Sequence, residues 1–402
     1  MKSILYLRTD LGTKHLTTGG SVTHTLGVLR AFIGQKTTVY CASSAVHGLL
    51  SKEPGIEFRS LAMPKWLFFI GFKLNCLLSN IFFFITTLIF LRNKTVTHIY
   101  QRSSMLNMVG VLLSWYKKIP LILEFNSSEV WVDANWASQK KSRIRLPLSW
   151  LIKKCELSNL RHAKAIVVVS DQLKENLIKM DIPSRKILVN PNGVDTDLFN
   201  LKNKSKERAQ IRIKHDIEGL FVVGFIGTFS YWHGIETIKN IILSFAKKRS
   251  PIHFLLMGSG PLKNEIKEAI GKNNANGYVT FIDSIQHAKV PGYLASCDLF
   301  LCPSQLNKDK TMFFGSPTKL FEYMSMEKPI VCSNIGQMKK ILTKQSACLV
   351  QPQDTAGFVL AIEKIMKKSK KEQAAIGYDL RSCVLKKYSW NKHVQRIKEF
   401  VR

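Results

Sequence analysis

Ile187-Leu-Val-Asn-Pro-Asn-Gly-Val-Asp-Thr-Asp-Leu-Phe199 is an apolar run that breaks into a Pro/Asn/Gly turn, and the basic polar stretch 201–214 follows it. A strand ended by that turn chemistry and followed by polar chain marks a domain boundary. The fold follows from what lies on either side. Toward the N-terminus, residues 4–7 read as a buried strand. A polar loop then ends in Gly19-Gly20, and Ser21 caps a helix carrying Val22, Leu26 and Leu29. Further strands are predicted at 37–41, 95–100, Leu121–Phe125 and 165–169. Toward the C-terminus, Phe221–Ile226, 253–257, Val279–Ile282, Leu299–Cys302 and Ile330–Ser333 form a second series. Strands alternating with helical patterns argue for parallel sheets. The expected architecture is therefore α/β, with two doubly wound domains facing a cleft. They span 1–200 and 201–385, with a C-terminal helix at 386–402 packing back on the first.

Within the second series, Ser316-Pro-Thr-Lys-Leu-Phe-Glu-Tyr-Met-Ser-Met-Glu-Lys-Pro-Ile330 carries the sharpest chemistry. Ser316 suits an N-cap and Pro317 the first helical position, and Leu320, Tyr323 and Met324 then recur at helical spacing. The amides of Thr318, Lys319 and Leu320 are left without intrahelical partners beside a lysine side chain, which makes an anion-binding mouth. Glu322, one turn on, can accept hydrogen bonds from ribose hydroxyls. Phosphate plus ribose suggests a nucleotide; an ordinary capped core helix is the alternative.

Lys and Arg number 59 against 28 Asp and Glu, a net charge of +31 that favours anionic partners. No aromatic-rich RNA motif, zinc spacing or recognition helix accompanies the charge, so nucleic acid is not expected. The eight cysteines are scattered without a Cys-x-x-Cys pair and read as reduced residues of a cytoplasmic protein. The apolar run at 4–7 is too short for a signal peptide. Asp195 and Asp197 spell Asp-x-Asp, which a turn explains better than a metal, so no metal is expected.

Residues 66–91 are strongly apolar, but Lys73, Asn75, Ser79 and Asn80 interrupt them, which argues against a transmembrane span. A core helix and a helix lying in the membrane interface both remain open. Four phenylalanines between Ile81 and Phe90, with Arg92 and Lys94 following at once, favour the interface. With the net charge, they place the protein peripherally on the anionic inner face of the cell membrane.

Polar residues leaving the carboxyl end of a parallel strand are where open α/β sheets place ligands, which makes Glu124, Asn126 and Glu129 site candidates. An exposed loop with an Asx turn is the alternative there.

Taken in order, Gly19-Gly20, Asn190-Pro191-Asn192-Gly193-Val194-Asp195, the 227–234 loop, Gly258-Ser259-Gly260-Pro261-Leu262 and 316–329 resemble the family 4 nucleotide-sugar-dependent glycosyltransferases. The resemblance covers nearly the whole chain. It implies the GT-B fold of two Rossmann-like domains and sugar transfer with retention of configuration, without a cofactor or metal. The donor would be a UDP- or GDP-sugar and the acceptor a glycan or lipid-linked intermediate of a bacterial surface polysaccharide such as O-antigen, capsule or exopolysaccharide. It implies donor contacts from Gly19, Gly20, Gly227, Thr228, His233, Gly258, Gly260, Pro317, Thr318 and Leu320. Lys319 would supply charge to the diphosphate, Glu322 would hold the ribose, Asn126 would serve catalysis, and Glu124 and Glu129 would line the acceptor side.

The chain also departs from the family pattern. An Arg and a Lys commonly flank the 227–234 loop where Thr228 and His233 stand here. The first carboxylate of the family's Glu-x7-Glu pair is Phe314, and the usual histidine after Leu121–Phe125 is Asn126. Lys308 and Lys310 are spare cations that could replace the missing pair. A non-catalytic subunit that kept the fold is the rival reading.

Overall fold

The computed structural model describes residues 1–402 apart from 12, 65–70, 136–147, 308 and 343–346. The chain divides into two compact units. The first comprises Met1–Thr17, His24–Pro191 and His393–Arg402; the second comprises Thr18–Thr23 and Asn192–Lys392.

The first unit is built on seven parallel strands: β1 (Ser3–Arg8), β2 (Thr38–Ser43), β3 (Ile56–Ser60), β4 (His98–Arg102), β5 (Leu121–Phe125), β6 (Ala165–Val168) and β7 (Ile187–Val189), in the order β3-β2-β1-β4-β5-β6-β7. β1 lies centrally, Ile4 pairing with Val39 on one side and His98 on the other. Ile4, Leu5, Tyr6 and Leu7 are fully buried, as expected where helices cover both faces of a sheet. β3 escapes sequence reading because Glu57 and Arg59 interrupt it, a pattern suited to an edge strand.

The second unit repeats the plan with β8 (Phe221–Ile226), β9 (Ile252–Met257), β10 (Val279–Ile282), β11 (Leu299–Cys302), β12 (Ile330–Ser333) and β13 (Cys348–Val350), in the order β10-β9-β8-β11-β12-β13, again all parallel. Along β8, Val222 joins the core on one face and Val223 the core on the other. In both sheets strand order reverses beside the first strand, between β1 and β4 and between β8 and β11. Open α/β sheets bind ligands outside the carboxyl ends of strands at such reversals.

The turn read as a boundary is held from within the second unit. Arg381 donates to the carbonyls of Phe199 (2.7 Å), Ser325 (2.6 Å) and Thr196 (3.1 Å). The carboxylate of Asp195 accepts from the amides of Asp197 (3.1 Å) and Leu198 (3.0 Å), so it closes the turn. The C-terminal helix Trp390–Phe400 reaches the first unit at His393, whose carbonyl accepts from Asn190; Arg396 donates to the Asn190 side chain at 2.7 Å.

Candidate functional site

In the second unit the reversal between β8 and β11 is occupied by the helix Thr318–Ser325. Every residue from Lys319 to Ser325 is buried, so this short helix is the centre of its unit and not a surface element. The Tyr323 hydroxyl accepts from the Ile226 amide at 2.7 Å, and Ser325 donates to the Phe199 carbonyl at 2.6 Å. The first bond ties the helix to the end of β8, and the second ties its last residue to the turn at Phe199.

The cap differs from the sequence expectation by one residue. Pro317 is the N-cap, without a side-chain bond, because Asn192 engages Ser316: its amide donates to the Ser316 hydroxyl (3.2 Å) and its side chain to the Ser316 carbonyl (2.5 Å). The Leu320 amide donates to the Pro317 carbonyl at 3.1 Å. The mouth is therefore narrower than expected, with Thr318 and Lys319 as its free amides among the described residues.

Lys319 supplies the charge. Its ammonium lies 4.1 Å from the centre of the Phe225 ring and beside the backbone of Gly227. Burial pulls its pKa down to about 8, against the opposing pull of Cys302, Glu322 and Cys332. His233 is pushed well below the ordinary histidine range by burial and by the Lys319 charge, so it is a neutral imidazole at pH 7. Its buried Nδ1 has no hydrogen-bond partner among the described residues. A buried cation, two free amides and a neutral imidazole form a preorganised site for a phosphate-type anion.

Glu322, one turn deeper, is buried with a carboxylate oxygen 3.7 Å from His287 Nε2. That gap is too long for a hydrogen bond and of a size that a hydroxyl or water can bridge. His287 Nε2 is otherwise buried without a partner among the described residues. Sequence reading missed His287; nothing in its own surroundings, Gln286-His287-Ala288, singles it out.

The glycines divide by role. A Cβ on Gly258 would stand 2.1 Å from the Gly227 carbonyl oxygen, and one on Gly260 2.5 Å from the Phe229 nitrogen. These two let the 227–234 and 258–262 loops pack backbone to backbone, joined by the bonds from Phe229 to Ser259 (2.9 Å) and from Leu262 to Phe229 (3.0 Å). They build the wall of the site. Thr228 is exposed at its rim. Gly20 approaches the mouth, a Cβ there standing 3.0 Å from Thr318 Oγ1, while Gly19 next to it has open space around it. Lys310 is exposed, and Lys308 lies outside the described residues.

The corresponding edge of the first unit carries a different cluster. Glu124 at the end of β5 is buried and accepts from Tyr100 (2.9 Å), Arg102 (2.7 Å) and Asn126 (2.5 Å), with His24 Nε2 at 2.9 Å. Burial alone would raise its pKa, but His24, Arg102 and these bonds hold it well below the usual carboxylate range. The expectation that Glu124 lines the acceptor side is corrected on this ground. Both of its oxygens are committed, and it positions Asn126 instead. Glu129 is shifted in the opposite direction. Burial, with Asp10 and Glu156 adding to it against Arg102, lifts its pKa to about 8. It is therefore protonated at neutral pH.

Residues 18–198 match the model described as Glycosyltransferase Family 4, and residues 221–368 match the model described as Glycosyl transferases group 1. The chain belongs to glycosyltransferase family 4. Its curated relatives are distant. The 2-deoxystreptamine N-acetyl-D-glucosaminyltransferase of Niallia circulans is 24% identical over 64% of this chain and 63% of its own length. The amylovoran biosynthesis glycosyltransferase AmsK of Erwinia amylovora is 21% identical over 57% of this chain and 53% of its own. The chain thus spans less than two thirds of each. Among solved structures, Anabaena Alr3699/HepE in complex with UDP superposes with a TM-score of 0.74 at 15% identity, covering 99% of both chains. The same Anabaena protein has been solved with UDP-glucose. WaaG, a glycosyltransferase involved in lipopolysaccharide biosynthesis, superposes with a TM-score of 0.69 at 12% identity, also over 99% of both. These likenesses establish the GT-B fold for this family 4 chain.

Of the residues the family pattern points to, Gly20, Gly227, His233, Thr318, Lys319 and Glu322 fall in the second unit around the helix start, and Glu124, Asn126 and Glu129 at the sheet edge of the first. His24, Tyr100 and Arg102, which fix Glu124, escaped sequence reading because only the packed sheet brings them to it.

Proposed function

We propose that the protein is a retaining, metal-independent glycosyltransferase. In this reading it moves a sugar from a UDP- or GDP-sugar to a glycan or lipid-linked acceptor in bacterial surface polysaccharide synthesis, at the cytoplasmic face of the membrane. The observation that carries the reading is the buried Lys319 ammonium set beside Gly227 at the start of Thr318–Ser325. A leaving nucleoside diphosphate gains negative charge as the glycosidic bond breaks, and fixed amides with a desolvated cation stabilise that charge more than they stabilise the intact donor. Lys319 and the amides of Thr318 and Lys319 take the diphosphate, His233 donates a neutral hydrogen bond, and Glu322 with His287 holds the ribose. Asn126, oriented by Glu124, acts on the sugar, and Glu129 serves the acceptor side. The polysaccharide setting is supported by the name of the distant Erwinia amylovora relative.

The test is thermal stability against UDP, GDP, ADP, CMP and their sugars, since a ligand at 100 times its Kd adds about 2.7 kcal/mol. A selective rise with one diphosphate, lost in Glu322→Ala, is expected and names the base; no rise with any nucleotide overturns the donor site. Phe314, standing where the family carries a carboxylate, favours a second reading in which the fold binds nucleotide without turnover. Release of free sugar or transfer product from the stabilising donor excludes it.

A further inference from the structure

The helix Phe72–Phe90 packs one stripe, Asn75, Cys76, Ser79, Phe83 and Thr87, into the first unit. Its polar residues are thus spent inward, where Thr87 donates to the Phe83 carbonyl (2.6 Å) and Ser79 to the Cys76 carbonyl (2.8 Å). Phe72 at the first position is exposed, and the later phenylalanines are spent inward or sideways. Phe83 is buried, Phe84 meets Tyr116 edge-on at 6.1 Å and Phe90 meets Tyr40 at 6.3 Å. Besides Phe72, what the helix shows to solvent is Ile81, Ile85 and Ile89, each at least half exposed and spaced by four residues in one line. The neighbouring helix Val109–Lys117 adds Trp115, 75% exposed, and Tyr116, 59% exposed. Core packing explains none of these five.

Carboxylates meet the two ends of the first helix in ion pairs, Asp133 with Lys73 and Glu57 with Lys94, each at 2.8 Å, and the chain between is basic. No Asp or Glu occurs between Glu57 and Glu124. Exposed Arg92 follows the first helix, and exposed Lys117 and Lys118 end the second. A third helix, Ser149–His162, holds an open hollow of about 520 Å³ lined by Lys154, Leu157, Ser158, Arg161 and His162. It sits beside the second helix, His162 bonding the Ser114 hydroxyl at 2.9 Å. Its one carboxylate, Glu156, is buried and occupied by Ser128 and the Glu129 amide.

We infer that this three-helix face lies in the interface of an anionic bilayer, with the Ile81-Ile85-Ile89 line and Trp115 in the headgroup–acyl boundary and the hollow at Lys154 and Arg161 taking a lipid phosphate. Branched aliphatics give depth, Trp and Tyr favour the boundary itself, and the cations supply attraction that neutral lipid does not offer. The helix lies on the membrane and does not cross it, because its buried stripe belongs to the sheet. This inference rests on the membrane half of the proposed function and assigns it a surface.

The test is co-sedimentation of the full chain with vesicles of phosphatidylcholine alone and with a third phosphatidylglycerol. Wild type is compared with Ile81→Asp/Ile85→Asp, Trp115→Ala and Lys154→Gln/Arg161→Gln. Binding to anionic vesicles only, weakened by salt, is expected, with a loss of about tenfold or more in the isoleucine and cation pairs. The substituted positions are exposed, so unchanged unfolding midpoints separate lost binding from lost folding. Wild-type binding retained by both pairs overturns the assignment of the surface. Failure of wild type to bind any vesicle overturns the membrane reading, and a dimer that Ile81→Asp/Ile85→Asp renders monomeric assigns the face to a second copy instead. Nucleotide-induced stabilisation, measured on the same samples, reports on the donor site independently.

Discussion

The ammonium of Lys319 fills the space that a side chain at position 227 would need: a Cβ on Gly227 would stand 2.5 Å from Nζ. The glycine and the lysine are one device, since the residue that follows β8 leaves room for the cation that the helix start delivers. Gly227→Ala is expected to displace the lysine and to strain a backbone held at φ 151°, costing about 1–3 kcal/mol. Urea unfolding reads the cost. Nucleotide-induced stabilisation should fall by more than stability does, because a displaced cation no longer faces the anion.

Lys319 also predicts a pH dependence. Its amine titrates at about 8 in the folded chain and near 10.5 in the unfolded one. Between those values the unfolded state binds more protons, so this group makes stability rise with pH across that window. A diphosphate bound beside it favours the charged form and raises its pKa. Calorimetric titration near pH 8 in buffers of different ionisation enthalpy should therefore show proton uptake on nucleotide binding, and affinity should decline above pH 8. Lys319→Met should abolish the uptake; uptake that persists would place the proton elsewhere.

Glu129 behaves in the opposite sense. Its carboxyl is lifted from 4.5 to about 8, so the folded state binds more protons than the unfolded one between those values, and stability falls as pH rises through them. Glu129→Gln removes the liability. Its denaturation midpoint should lie near that of wild type at pH 4.5 and exceed it progressively toward pH 8.

Asn126 and Glu124 separate chemistry from binding. Asn126→Ala should lower kcat while leaving nucleotide-induced stabilisation unchanged, because the proposed donor site is made of second-unit residues. Glu124→Gln removes the charge opposite Arg102 and His24 inside the first unit, and breaking such a buried pair costs about 3–5 kcal/mol. A change in melting temperature for Glu124→Gln without one for Asn126→Ala would support the assigned division between positioning and contact.

Much of this was written locally in the chain. The helix start after Ser316-Pro317, the glycine loops and eleven of the thirteen strands announce themselves through turn residues and continuous apolar runs. The two missed strands, β3 and β13, sit at sheet edges, where burial no longer dictates composition. What the sequence withheld depends on partners far away along the chain. Ser316 gives up its cap to Asn192, 124 residues distant. Glu124 reads as a loop-side ligand until Tyr100 and Arg102 from β4 close on it. The exposed isoleucines and the buried Phe83 follow one another in a single apolar run, and only packing says which faces outward.

Apart from Thr18–Thr23, the second unit is one stretch from Asn192 to Lys392, and the last ten residues of the chain belong to the first. Anyone building chimaeras with a relative to exchange donor specificity inherits that constraint. A graft of 192–392 keeps His233, Lys319 and Glu322 together but leaves Gly20 to the recipient, whereas a simple cut near residue 200 would strip Asn190 of His393 and Arg396, its partners in the first unit. The natural unit of exchange is that insert with its two junctions, carried together with 18–23 from the same parent.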